Sequence, residues 1–197
     1  DKVMAQDPAT FAFRFGYGLP MPEGAVDDVG KMLSALAAPD AIVTRHAGLG
    51  FEAALPLISK VQSTRRARNM DASEGPEYRA ALGEAQAAAL ASARAGFARA
   101  LDNPDGFRER LVRFWADHFT TAAKNRQELI LPGTLIEDAI RPHLAGQFSE
   151  LLSAATLHPA MLIYLDQVLS IGPTSKAGAR RGRGLNENLA RELIELH

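Results

Sequence analysis

The sequence has no cysteine, a single tryptophan and few aromatic residues, 7% in all. Without cysteine, disulfides, thiolate nucleophiles and Cys-ligated metals are excluded, while the redox compartment stays open. Neither sign of charge dominates: 22 Lys+Arg stand against 23 Asp+Glu, a formal charge of -1. That balance removes the overall electrostatic case for nucleic acid or an acidic membrane surface as a partner. No run approaches the roughly 18 apolar residues that a membrane span requires, and the longest Ala-rich stretch is broken by Glu84, Gln86, Ser92 and Arg94. The chain opens at Asp1 with no basic or apolar leader pattern, so a targeting segment is expected to be absent or already removed, and no compartment is assigned. Ser153, Ser170 and Ser175 lack the Gly-x-Ser-x-Gly setting of a serine hydrolase, and neither a Gly-x-x-x-x-Gly-Lys nor a Gly-x-Gly-x-x-Gly phosphate loop occurs.

What the sequence does have is alanine, helical periodicity, and Gly or Pro between periodic segments. No strand pattern is found, and the fold class predicted is all-α, a multi-helix, bundle-like domain. A length of 197 residues fits a single α-helical domain over 1–197. Asp7 and Pro8 start a first helix carrying Phe11, Ala12 and Phe15, stopped by Gly16 and Gly18. Val26, Val29, Leu33 and Ala37 predict a helix over 25–37, and Leu55, Ile58 and Val61 one over 51–68, whose Arg65, Arg66 and Arg68 suit the negative end of its dipole. After a loop at 71–76, residues 77–101 form the longest helix, with Leu82, Ala85, Ala89, Ala93 and Phe97 on one side.

Asp105 is placed to cap a helix over 106–121. With Leu111 at zero and 100° per residue, Phe107, Phe114, Trp115, His118 and Phe119 fall within about 80°, which puts His118 on an aromatic, buried face. Thr134 and Glu137 have the spacing of a capping box, for a helix that Pro142 ends or kinks. Residues 147–157 form another helix, and His158-Pro159 starts one through Leu165. A Gly/Arg-rich loop over 171–185, with Lys176, Arg180, Arg181 and Arg183, precedes the last helix, which Asn186 caps. That helix carries a Leu189, Leu193, Leu196 stripe flanked by Asn188, Glu192 and Glu195, and no Gly, Asn or Pro terminates it at His197. The absent cap leads us to expect the N-terminal portion of a longer chain.

Three blocks carry a resemblance to a known family. Arg110-Leu-Val-Arg-Phe-Trp-Ala-Asp-His118-Phe-Thr, His158-Pro-Ala-Met-Leu-Ile-Tyr-Leu-Asp166 and Gly184-Leu-Asn186-Glu-Asn188-Leu-Ala-Arg191-Glu192-Leu-Ile-Glu195-Leu-His197 occur in order, behind an opening Arg14-Phe-Gly-Tyr-Gly. In these the chain resembles the bacterial domain-of-unknown-function 1800 family over nearly all of residues 14–197. The resemblance supplies motifs but no reaction. It implies a longer protein and export in many members, and, by gene association, a sulfatase-like companion as protein partner.

Two readings of the polar residues stand side by side. In the structural one, His118 satisfies a carbonyl within a packed face, Glu187 and Arg191 form a solvated pair, and Arg180, Arg181 or Arg183 fold back on Asn188, Glu192 and Glu195. In the functional one, His118 and Glu192 form a catalytic acid–base pair, with Glu195 beside them. Asn188 and the arginines 180, 181 and 183 then bind a polar substrate, or the arginine loop grips phosphate or sulfate. A divalent metal held by His118, Glu192, Glu195 and His197 is the cofactor this set suggests. Against it, His197 lies about 160° from Glu195 on the wheel, and no His-x-x-x-His or Glu-x-x-His pair occurs. His46 and His143 have no partner at readable spacing, so surface or capping roles are expected. The lack of a complete catalytic set favours a binding or assembly module, with an enzyme whose His/Glu site is completed beyond residue 197 as the alternative.

Overall fold

The structure, a computed structural model, describes residues 8–18, 28–104, 106–181 and 184–196, leaving aside the side chains of Pro8 and Arg181. Every regular element among the described residues is helical: α1 (Pro8–Phe15), α2 (Val29–Ala37), α3 (Ile42–Arg45), α4 (Phe51–Met70), α5 (Gly75–Asp102), α6 (Gly106–His118), α7 (Leu131–Leu135), α8 (Phe148–Leu157), α9 (Pro159–Tyr164), α10 (Lys176–Arg181) and α11 (Asn188–Leu196). No described helix is long and apolar enough to cross a membrane.

The backbone of the fold is the antiparallel α4–α5 pair. Asp71 turns the chain in a short 3₁₀ segment by accepting the Ser73 N–H at 2.9 Å. From there numbers rise on one helix as they fall on the other: Arg68 lies over the Tyr78 ring at 4.4 Å, and Lys60 reaches Glu84 at 2.7 Å. Ala81 and Ala85 let the helices approach closely around buried Val61 and Leu82. Ala54 and Val61, rather than Leu55, carry the inner face of α4, since Leu55 is left exposed.

The main core lies between α4–α5 and the C-terminal helices, around Leu135, Ile140, Leu151 and Ala155. Burying a side chain the size of Ile140 contributes about 1.5–3 kcal/mol. α9 begins as predicted, because His158 Nδ1 accepts the Ala160 N–H at 3.1 Å above Pro159. Asn186 Oδ1 accepts the Asn188 N–H at 2.9 Å at the start of α11. The proposed caps Asp7 and Asp105 lie outside the described residues.

Three expectations are corrected. Residues 171–185 are not all loop: Ser175 Oγ accepts the Gly178 N–H at 3.0 Å and starts α10. Thr134 does not cap a helix. It sits inside α7, wholly buried, with its hydroxyl donating to the Leu131 carbonyl at 2.7 Å. α7 then continues as one turn of π-helix, Ile136–Ile140, before a 3₁₀ turn holding Pro142. The third correction concerns α6, which ends at His118 and is rotated from its predicted setting. It buries Arg108, Glu109 and Val112 and leaves Phe114 and His118 exposed.

Candidate functional site

The rotation of α6 has a charged cause. Glu109, on its inner face, accepts from Arg141 NH1 at 3.0 Å and NH2 at 2.7 Å, and from Asn103 Nδ2 at 2.8 Å. Arg141 also donates to Asp40 Oδ2 at 2.6 Å. Burial alone would weaken the hold of Arg141 on its proton; the hydrogen bonds and charge of Glu109, then Asp40, outweigh this and raise its pKa. Next to Glu109 in the chain, Arg108 Nη2 donates to the carbonyls of Ala35, Leu36 and Ala38, satisfying the C-terminal end of α2.

A second buried pair lies alongside. Arg99, 1% exposed in the otherwise Ala-rich α5, donates to Glu137 Oε1 at 2.8 Å and Oε2 at 3.0 Å, and through Nε to the His46 carbonyl at 2.6 Å. Glu137 stands on the π-turn, and its neighbour Asp138 accepts the Phe51 N–H at 2.6 Å. Gly48 leaves room for the Glu137 carboxylate that Arg99 holds, into which a methyl would project, and at Gly50 a methyl would displace the Asp138 carboxylate. Such π-turns recur at functional sites.

Above these pairs, α5, α6 and α7 enclose a cavity of about 320 Å³. Its walls are apolar, with Ala89, Ala93, Val112, Ala116, Leu135 and Ile136, while Arg99, Glu109, Glu137 and Arg141 form its charged floor. Arg113 stands at the exposed side, over the ring of Phe97 at 5.2 Å. Two polar atoms of residues that line it, Arg141 Nε and Thr121 Oγ1, are closed off from solvent and have no hydrogen-bond partner among the described residues. The arrangement is that of a small-molecule pocket: concave, largely apolar, with a few convergent polar groups.

The residues nominated from sequence lie elsewhere. His118 is exposed at the end of α6, its ring set edgewise against Trp115 at 5.5 Å and Phe119 at 4.8 Å. It shares a smaller cavity, about 90 Å³, with Glu192. Glu195 is exposed and does not line that cavity. Asn188 Oδ1 accepts from Arg191 NH2 at 2.9 Å, and the same nitrogen lies 3.9 Å from Glu192, so Arg191 turns to these rather than to Glu187. Arg180 is exposed on α10, and no ion pair among the described residues ties it to Glu192 or Glu195. The Arg181 side chain, Arg183 and His197 lie outside the described residues. Among the described residues no group of three His, Asp or Glu is placed to hold a metal ion.

The family model described as "Protein of unknown function (DUF1800)" matches residues 11–197. The chain belongs to this family. No curated protein and no solved structure matches it. The DUF1800 span takes in the whole cavity between α5, α6 and α7 as well as the three sequence blocks.

Within this DUF1800 chain the floor residues Arg99, Glu109 and Arg141 carry no mark of a site in the sequence, Glu137 reads there only as half of a capping box, and the partner of His46 is Asp102, met at 2.7 Å. One available signal was compositional: Arg99 follows a long Ala-rich stretch on the side of α5 that packs inward. The pairings themselves join residues 32 and 38 positions apart, which no helical spacing reveals.

Proposed function

We propose that residues 1–197 act as one α-helical binding module, and that what it binds sits in the cavity between α5, α6 and α7. The observation that carries this reading is the cavity itself, about 320 Å³, whose largely apolar lining with Ala89, Ala93, Val112, Ala116 and Leu135 lies over the paired charges Arg99–Glu137 and Glu109–Arg141. The ion pairs beneath hold their own charges and serve as a rigid support. A fragment library screened by NMR against the intact chain and Ala93→Phe, which fills the cavity from α5, tests the reading. Hits should shift Val112, Thr121 and Leu135 and vanish in the variant; hits confined to other surfaces would contradict it. Assembly with a sulfatase-like companion, which the family resemblance implies, is the macromolecular side of the same module, and pull-down with intact chain tests it.

A second reading is an enzyme using His118 and Glu192, favoured by their sharing one small cavity. A panel of p-nitrophenyl esters, phosphates and sulfates, together with bound-metal content, would be measured for the intact chain, His118→Gln and Glu192→Gln. Turnover lost in both variants supports this reading; full turnover with unchanged metal content removes it.

A further inference from the structure

We infer that the ligand of the cavity between α5, α6 and α7 is a monoanion with an apolar tail, of the short-chain carboxylate class, held at the mouth by Arg113; this rests on the binding-module reading above. The charges of the lining come first. Arg99, Arg113 and Arg141 stand there against Glu109 and Glu137. Arg99 takes both oxygens of Glu137, and Arg141 takes both oxygens of Glu109 and reaches Asp40 as well. Arg113 is the cation that remains: among the described residues no carboxylate pairs with it. Glu109 and Asp117 stand a turn to either side of it on α6, at the spacing where helical pairs form. Glu109 is nevertheless taken up by Arg141 and Asn103, and Asp117 is exposed.

The guanidinium is also well placed. It lies over the Phe97 ring at 5.2 Å, and a methyl on Gly96 would come within 3.3 Å of its Nη2. Gly96 and Phe97 line the cavity together with Arg113, so the charged end of the side chain, and not only its stem, stands at the mouth. Its other neighbour is neutral: burial pushes the Tyr17 pKa up, Arg113 pulls it the other way, and the net rise keeps the hydroxyl protonated. Because Arg113 is exposed, it can meet an anionic head without either charge first losing all its water. A carboxylate matches the planar guanidinium fork through two oxygens. A phosphate monoester would bring a second charge, and the other two arginines of the lining are already paired. An ammonium would face Arg113 and carboxylates that are already held. The remaining wall, with Ala89, Ala93, Val112, Ala116 and Leu135, asks for an apolar tail. A volume of about 320 Å³ sets the whole ligand at on the order of ten non-hydrogen atoms, the small end of ligand pockets.

The test uses probes with one tail and different heads: octanoate, octanamide, octylammonium and octyl phosphate. Each is titrated at low salt into the intact, isotope-labelled chain while the backbone amides of Val112 and Leu135 and the Arg113 Nε–H signal are followed. Octanoate is expected to bind at about millimolar Kd, about fivefold or more tighter than the other three, and to move the Arg113 Nε–H signal. Arg113→Gln, a change at an exposed position, should bring octanoate down to the affinity of octanamide and leave octanamide where it was. Ala93→Phe should remove the site for both. Another head binding as tightly as octanoate, or octanoate unaffected by Arg113→Gln, would overturn the carboxylate assignment while leaving the binding module standing. Octanoate bound at full strength in Ala93→Phe would place it outside the cavity and overturn the inference. If no probe moves a cavity resonance while the fragment screen still finds hits there, this inference falls alone; if that screen finds none either, the binding reading falls with it.

Discussion

Arg99 and Glu137 meet through two parallel hydrogen bonds, 2.8 and 3.0 Å long, although they lie 38 residues apart. This pair ties α5 to the π-turn and, through the His46 carbonyl, to the loop before α4. Removing one partner leaves the other charge buried, so Arg99→Met should cost about 3–5 kcal/mol in urea unfolding. Arg99→Met/Glu137→Leu should cost less than the sum of the single changes. A single variant within about 0.5 kcal/mol of the parent would show that the pair is not the brace described.

The loop glycines give a sharper contrast. Gly48→Ala pushes a methyl into the Glu137 carboxylate, whereas at Gly83 in α5 an added methyl meets nothing within 4 Å. Gly48→Ala should destabilise by about 1–3 kcal/mol, and Gly83→Ala should stabilise by up to about 1 kcal/mol. Thermal unfolding of the two variants side by side checks both signs.

His158 makes stability depend on pH. Burial holds its imidazole below the ordinary 6.5, with Asp138 opposing. Above that value the ring is neutral in both folded and unfolded chains; as pH falls below 6.5 the unfolded chain takes up the proton first, and stability is lost down to the folded pKa. His158→Asn keeps an acceptor for the Ala160 N–H and removes the titration. Its urea midpoint should therefore fall less between about pH 7.5 and about pH 5 than that of the parent. An identical fall would assign the acid sensitivity to other groups.

Much of the fold was legible, because it is written locally. His158-Pro159, Asn186 and the Gly/Pro breaks around α5 act within a turn of where they stand, and α4, α5, α8, α9 and α11 follow from them. The candidate site was not legible for the opposite reason. Arg99, Glu109 and Arg141 read as solvated charges unless their distant partners are known, and those partners turned α6 so that His118 faces outward. Thr134 and Glu137 have capping-box spacing, yet one bonds within α7 and the other reaches across to Arg99. Gly178 and its basic neighbours read as a loop because Ser175, the cap that starts α10, stands among glycines and a proline.

The most direct measurement is a crystal structure of the intact chain soaked with the strongest-binding fragment of the NMR screen. The account predicts that fragment in the cavity between α5, α6 and α7, against Ala89, Val112 and Leu135, with the Arg99–Glu137 pair unbroken. A fragment seated on another surface, with the cavity filled by side chains that have moved in, would contradict it.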